Sequence, residues 1–312
     1  MKTLVTGGAG YVGTSLVRAL LARGHEVTLL DNFMYGPDSI LDLIAHEALR
    51  VCEHDVRALS RNDLTPYDAV FHLAALSGYP ACDANQKAAW SINADATRDL
   101  CAQLSPSQLL FYASTTSLYG QATDGVSDED SPVNPISVYG QTKGLAERTC
   151  LTRENTVSLR FATIFGVGNR MRSDLLPNDF CYRVATERCL VLFDPRARRT
   201  FLHISDAVAG YLLALDGMTD PDRAHLFKGQ IFNVGDATLN LSKLEIADEI
   251  ARHAPFELIL SDLADPDPRS FEISFEKFQK LGFSAKKTLE EGVRELLKLY
   301  GFYRVHRHFN TI

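Results

Sequence analysis

The sequence lacks the marks of several broad protein classes. None of its six cysteines (Cys52, Cys82, Cys101, Cys150, Cys181 and Cys189) stands in a C-x-x-C pair. Without paired ligands at finger-like spacing, no metal site is expected. The nine histidines are equally scattered; His306 and His308 are the only close pair, and they read as a solvated tail. No uninterrupted apolar run is long enough to span a bilayer. No charged leader with an apolar core precedes Lys2-Thr3-Leu4-Val5-Thr6, so a cytoplasmic chain with reduced, mostly buried thiols is expected. Positive charge is also short. A net charge of -7 disfavours nucleic acid and anionic membranes as partners, because both reward the opposite sign. Internal repeats and low-complexity segments are absent.

What is present is globular. A content of 46% apolar and 23% charged residues over 312 positions allows a full core and excludes a disordered or fibrous chain. In the first half, short β-rich runs alternate with helical ones. Lys2 to Thr6, Glu26 to Leu30, Arg50 to Glu53, Ala69 to Ala74, Gln108 to Ala113 and Val157 to Phe161 read as strands. Several are apolar on consecutive residues, as expected of parallel strands covered on both faces. Between the first two, Val12, Leu16, Ala19, Leu20 and Arg23 repeat at helical spacing and Gly24 closes the helix. Helices are also expected over about Asn85 to Leu104 and Ser137 to Leu151. Such alternation implies an α/β doubly wound parallel sheet. After Gly166 the prolines at 177, 195, 221, 255, 266 and 268 break the rhythm, while Thr200 to Ala209 and Ile231 to Gly235 still read as sheet-domain material. The expected division is therefore discontinuous: residues 1-166 and about 200-235 in one domain, about 167-199 and 236-312 in a smaller C-terminal lobe that takes substrate.

The strongest local signal is Thr6-Gly7-Gly8-Ala9-Gly10-Tyr11-Val12-Gly13. Gly7, Gly10 and Gly13 lie between the first strand and the first helix. Glycine serves there for the tight turn, for close approach of a pyrophosphate and for packing of helix on strand. The anion then meets free N–H groups at the helix N-terminus, beside Tyr11 and Val12. The second strand leads into Asp31, whose carboxylate suits an adenosine ribose and repels a 2′-phosphate. Asn32 and Phe33 follow, with no arginine, so the cofactor expected in this Rossmann-type domain is NAD rather than NADP. Asp55-Val56, after the third strand, can reach the adenine, although a solvated loop aspartate fits Asp55 equally well. Leu73-Ala74-Ala75 ends the fourth strand with small residues, which suit either close passage of the cofactor or core packing.

A second constellation carries chemistry. Tyr139 and Lys143 form a Y-x-x-x-K pair on one face of a helix. An ammonium beside a phenol favours phenolate, which is what a base needs to take a proton from an alcohol. By itself the pair is a weak motif. The run Tyr112-Ala113-Ser114-Thr115-Thr116-Ser117-Leu118-Tyr119-Gly120 follows the fifth strand, at the edge where such sheets bind ligands. A hydroxyl there can share a hydrogen bond with Tyr139 and the substrate; capping of backbone groups is the plainer reading.

With these elements in order, the chain resembles the extended short-chain dehydrogenase/reductases, in particular the NAD-dependent nucleotide-sugar epimerase/dehydratase family. The likeness spans the glycine motif, Asp31, His72-Leu73-Ala74-Ala75, Asn93, Tyr119-Gly120, Tyr139 with Lys143, Leu159-Arg160-Phe161, Arg199 to His203 and Phe232 to Gly235. It implies Thr115 as the catalytic Ser/Thr, Tyr139 as base, Lys143 as its electrostatic partner, Asn93 as a cofactor-site residue, and transient hydride transfer from a sugar carbon to NAD. It further implies a nucleotide-diphosphate sugar as substrate. Arg199 and Arg269 match the family's diphosphate-binding arginines, Asn178 matches a polar substrate contact, and Thr163 stands where an Asn is common. Arg170 and Arg172 either assist or are solvated. A homodimer through the two helices at 85-104 and 137-151 is expected by the same resemblance.

Departures from the family pattern narrow the reaction. The acids that drive loss of water in 4,6-dehydratases are replaced by Thr116 and Ser117. The glutamate of the sugar decarboxylases and the cysteine of the 3,5-epimerases are missing too. Oxidation at the sugar 4-hydroxyl remains, most simply in a nucleotide-sugar 4-epimerase, with Thr116 beside the substrate. Tyr79-Pro80-Ala81-Cys82, the stretch from Arg170 to Leu176 and Asp267-Pro268-Arg269-Ser270-Phe271 resemble a bacterial branch that includes GDP-heptose 4-dehydrogenases. A 4-dehydrogenase that releases a 4-keto sugar is therefore the alternative. A non-catalytic NAD-binding regulator is the third reading; it is disfavoured because Thr115, Tyr139 and Lys143 are all retained.

Overall fold

Val, Leu and Phe dominate the buried strands of the first half, and the computed structural model shows why. It describes residues 1-120, 125-263 and 269-304; the His306–His308 pair and the segment Pro266 to Pro268 lie outside them. In chain order the strands are β1 (Lys2–Thr6), β2 (Glu26–Asp31), β3 (Leu49–Glu53), β4 (Ala69–His72), β5 (Leu109–Thr115), β6 (Val126–Ser127), β7 (Thr156–Phe161), β8 (Thr163–Phe165), β9 (Cys189–Phe193), β10 (Arg198–His203), β11 (Gln230–Val234), β12 (Asn240–Ser242), β13 (Glu257–Ser261) and β14 (Glu272–Ile273). Seven of them form one parallel sheet in the order β11-β7-β5-β4-β1-β2-β3. All six residues of β7 and all four of β4 are buried, the pattern of strands covered on both faces. The order reverses between β1 and β4. Strands to either side of that point send their connections to opposite faces, so a crevice opens beyond the C-terminal ends of β1 and β4.

Two expectations are corrected. The helix expected from Asn85 to Leu104 is interrupted. Tyr79–Ala84 and Gln86–Ala89 are short helical pieces, Trp90–Asp95 is a π-helical turn, and Ala96–Gln103 is regular. Asn85 breaks the first two with an extended φ of -141°, and its side chain caps the next piece at Ala88 N. The stretch from Thr200 is strand only to His203 and helix from Ile204 to Thr219. That strand, β10, pairs with β8 and β12 in a separate three-stranded sheet rather than joining the large one. The helix after it does return to the large sheet, where Tyr211 packs on Phe71 and Phe161.

The core falls into three clusters. The largest lies on one face of the seven-stranded sheet, with Phe71 stacked on Phe111 at 4.6 Å. It also takes in Phe271, Ile273, Phe275, Phe278 and Phe283, residues expected in the smaller lobe. These side chains pack against the sheet, as where the Phe278 ring stacks on Phe232. A second cluster, from Phe165 through Phe201 to Tyr300, joins the helices Leu176–Glu187, Lys243–Ala251 and Leu289–Tyr300. The third covers the opposite face of the sheet under the helices Ala96–Gln103 and Val138–Cys150.

Polar pins hold these layers in register. Glu147 on the helix Val138–Cys150 and Arg160 on β7 form an ion pair at 2.7 Å, each side chain only 4% exposed. Ser158 Oγ donates to the same carboxylate, and Arg160 Nη1 donates to the Tyr119 hydroxyl, which donates onward to Asn233 on β11. On the other side, His72 sits between Thr6 Oγ1, 2.7 Å from Nδ1, and Thr97 Oγ1, 2.9 Å from Nε2. Thr97 itself donates to Asn93 O. Burial, and then the charge of Lys143, lowers the His72 pKa to about 3.

Glu147→Ala leaves the Arg160 charge buried and unpaired, so it is expected to cost about 3–5 kcal/mol in urea unfolding. His72 adds a pH dependence. Below the ordinary histidine value of 6.5 the unfolded chain binds a proton that the folded chain refuses until about pH 3. Stability is thus full above 6.5 and falls with pH, at up to about 1.4 kcal/mol per pH unit from this group. Unfolding curves measured across that window for His72→Gln are expected to show a shallower slope.

Candidate active site

One cavity of about 730 Å³ runs through the crevice. At its first end lies the glycine turn. Gly7 has φ +70°, and a Cβ on it would stand 2.8 Å from Ala74 N; a Cβ on Gly13 would stand 2.1 Å from Gly7 O. Side chains at these positions would therefore force helix and strand apart. The helix Tyr11–Ala22 begins at Gly10 with no side-chain cap and no acid in its first turn. Its free N–H groups face the cavity, which is lined by Gly7, Gly10, Tyr11, Val12 and Gly13. Uncapped donors with a backbone concavity fit a pyrophosphate. Tyr11 closes this corner, donating to Gly166 O at 2.6 Å.

Asp31, at the end of β2, accepts from Ala9 N and Phe33 N, both at 3.0 Å. These bonds fix the carboxylate beside the cavity with lone pairs left for a ribose. Burial raises its pKa, while the two N–H groups and the charge of Arg170 draw it back. That arginine was invisible as a neighbour of Asp31 in the sequence. It comes from the loop after β8, is buried, and lies 3.8 Å from the centre of the Tyr35 ring. Asn32, Asp55 and Val56 line the same end. Asp55 is not a bare loop carboxylate: Arg57 donates to both of its oxygens, and that pairing lowers its pKa to about 2. Leu73, Ala74 and Ala75 line the cavity floor beyond β4.

At the middle, Tyr139 and Lys143 project from one face of their helix, which Ser137 caps at Gly140 N. Thr115 ends β5 and accepts from Ser117 N, leaving its own hydrogen to be donated. Thr115 and Ser77 line the same wall of the cavity as Tyr139. Burial raises the Tyr139 pKa and Cys82 adds to the rise; Ser77, the charge of Arg172 and Thr115 oppose it. The Lys143 ammonium lies 4.2 Å from the centre of the Tyr112 ring. Burial lowers its pKa to about 8, against the pull of Cys150, Glu147 and Cys82.

The far end is basic. Arg269 Nη1 donates to Ser117 Oγ at 2.6 Å, and Arg199, 5% exposed, lies over Phe271. Thr163, Arg199 and Arg269 all line the cavity, as does β9 from Leu190 to Phe193.

Three expected site residues do not reach the cavity wall. Asn93 is buried in the π-helical turn, where it accepts from Leu76 N and donates to Leu76 O, so it pins the backbone that leads to Ser77. Thr116 points the other way from Ser117, towards Thr200 Oγ1 at 3.5 Å. Asn178 is fully buried, accepting from Gly166 N and donating to Arg172 O. Arg170 and Arg172, for which the sequence left assisting and solvated roles open, are both buried on the cavity wall, and Ser77, which no sequence motif singled out, lies on the same wall. The signal for the two arginines was their pairing in a loop of low regularity, which a solvated face explains equally well. Among the described residues, no cluster of three or more His, Cys, Asp or Glu side chains is placed to hold a metal, and no helix is long and apolar enough to cross a membrane.

A dinucleotide cradle with Thr115, Tyr139 and Lys143 on the wall of the same crevice of a doubly wound sheet defines a dinucleotide-dependent enzyme. The model of the NAD-dependent epimerase/dehydratase family matches residues 3–235, and the chain belongs to that family. It is 30% identical, over 97% of its length and 99% of the relative's, to an uncharacterised UDP-glucose epimerase of Bacillus subtilis. It is 26% identical, over 96% and 97%, to a UDP-N-acetyl-alpha-D-glucosaminuronate decarboxylase of Bacillus cytotoxicus. Among solved structures, MoeE5 in complex with UDP-glucuronic acid and NAD superposes with a TM-score of 0.81 at 27% identity, covering 96% of this chain and 98% of that one. NAD is the cofactor. Asp31→Ala removes a fixed, charge-assisted acceptor, and about a tenfold or greater loss of NAD affinity is expected with a smaller loss for NADP. Equilibrium titration with both dinucleotides checks the ratio.

Proposed function

We propose that this chain is a nucleotide-sugar 4-epimerase, working on a sugar held between the NAD end and the basic end of the cavity. The observation that carries the reading is that Tyr139 and Thr115 line one cavity with the glycine turn and the two arginines, with no carboxylate at 116 or 117. Bound NAD supplies a hydride acceptor for the sugar C4. Tyr139 takes the proton of the 4-hydroxyl, and Thr115 hydrogen-bonds the same oxygen and orients it. Lys143, one turn along the helix, favours phenolate at Tyr139. Arg199 and Arg269 are assigned to the diphosphate, whose oxygens match guanidinium forks. Thr163 and Ser117 are left to contact the sugar.

Elimination is disfavoured on the same grounds. Of the acids on the wall, Asp31 and Asp55 lie at the NAD end, and Asp174 and Asp179 are already held by Arg172 and Arg183, so none is available as a free acid or base beside Tyr139. A keto sugar that only turns over and is reduced on its other face needs no further acid. The proposal retains a large NAD-binding body and a smaller discontinuous substrate lobe, the latter centred on the second core cluster.

The enzyme is to be incubated with NAD and a panel of UDP-, GDP-, dTDP- and CDP-sugars, following NADH absorbance and sugar product together. A new 4-epimer with no net NADH is the expected result. Accumulating NADH with a 4-keto sugar would replace the epimerase with the 4-dehydrogenase. Tyr139→Phe is expected to lower turnover by roughly 10²–10⁴-fold with NAD affinity nearly unchanged; full turnover in that variant would sink the mechanism.

A further inference from the structure

Arg172 reaches the cavity from the loop between Gly166 and Leu176, an element separate from β5 and from the helix of Tyr139 and Lys143. It is 6% exposed. Its Nε and Nη2 donate to the two oxygens of Asp174, at 2.7 and 2.6 Å. This pairing compensates the desolvation of the guanidinium and leaves Nη1, which donates to Ser77 Oγ at 3.2 Å. Ser77, Arg172 and Tyr139 share one wall of the cavity, and Ser77 and Arg172 both draw the Tyr139 pKa down. Both ends of the chain are clamped. Arg172 O accepts from the buried Asn178, and the backbone before Ser77 is held by Asn93 at Leu76. At Gly78, with φ +100°, a Cβ would stand 3.3 Å from Arg172 Nη2, so the peptide beside Ser77 lies close to the guanidinium.

We propose that Arg172 is a positioning residue for the base: through Ser77 Oγ it orients a second hydroxyl donor onto Tyr139 and brings a second cation to bear on it. Ser77 Oγ accepts from Nη1 and turns its own hydrogen to the phenolate oxygen, as a donor additional to Thr115. The inference rests on the reading of Tyr139 as base. It makes the readiness of that base depend on a loop of the smaller lobe as well as on Lys143. Burial and Cys82 favour the neutral phenol; Ser77, Arg172 and Thr115 favour its ionised form. The titratable neighbours facing Tyr139 are Cys82 from the helix Tyr79–Ala84, Tyr112 from β5, Tyr211 from the helix Ile204–Thr219 and Arg172. Lys143 completes the set from its own helix.

The test is the ionisation of Tyr139 in NAD-loaded protein, followed by NMR with tyrosine labelled at Cζ and assigned by the signal missing in Tyr139→Phe. Arg172→Met is expected to raise its midpoint by about one pH unit or more. Ser77→Ala, which keeps the Arg172–Asp174 pair, is expected to raise it by a smaller amount, and Arg172→Lys to restore part of the loss. Turnover near neutral pH then falls by about tenfold in Arg172→Met and recovers as pH rises. An unmoved midpoint in Ser77→Ala overturns the proposal, including when Arg172→Met fails to fold. So does a raised KM in Arg172→Met with the midpoint unchanged, which would make Arg172 a substrate ligand. Because the midpoint is read without turnover, its failure is distinct from that of the base assignment, which falls if Tyr139→Phe retains full activity.

Discussion

Glu147 and Arg160 are two buried charges, neither tolerable in the core without the other, and their pairing fixes the geometry on which the site depends. Glu147 belongs to the helix that presents Tyr139 and Lys143. Arg160 belongs to β7, next to the strand that ends in Thr115. The pair, extended by Ser158, Tyr119 and Asn233, therefore sets the height of that helix over the sheet edge. A shift of an ångström there would separate the phenol of Tyr139 from Thr115. Hydrophobic burial fills the space between helix and sheet but is indifferent to such sliding; the charged network is directional and is not.

The same division of labour recurs at the loops. The turn after β4 carries Ser77, which is useful only if its backbone is fixed. Asn93 fixes it from a π-helical turn whose irregular winding lets its amide pair with both polar groups of Leu76. Asn178 does the same for the loop after Gly166. Both asparagines are buried and satisfied, and both act on the cavity through a neighbour.

This distinction explains where the sequence was legible. Residues whose chemistry is expressed by their own local element were readable: Gly7, Gly10 and Gly13 in a strand–turn–helix, Asp31 at a strand end, Tyr139 and Lys143 one turn apart. Residues that act through distant partners were not. Asn93, Thr116 and Asn178 read as wall residues because a spacing cannot tell which way a side chain faces once its backbone leaves regular structure. Thr116 and Ser117 are adjacent, yet one meets Thr200 and the other Arg269. Arg172 read as either assisting at the substrate or solvated, since nothing near it in the chain reveals Ser77 almost a hundred positions earlier.

By itself the sequence determined the alternation of strand and helix, the glycine turn, the acidic end of β2 and the helical Tyr–Lys pair, because periodicity and short-range sterics dictate each of these. Tertiary structure alone decided that β10 leaves the large sheet for a smaller one, that Phe271 to Phe283 pack beneath the sheet, and that Arg170 and Arg172 turn inward. Those outcomes depend on which surfaces are left to bury, and on whether a charge finds a partner within hydrogen-bond reach. Both are properties of the assembled molecule, and no window along the chain contains them.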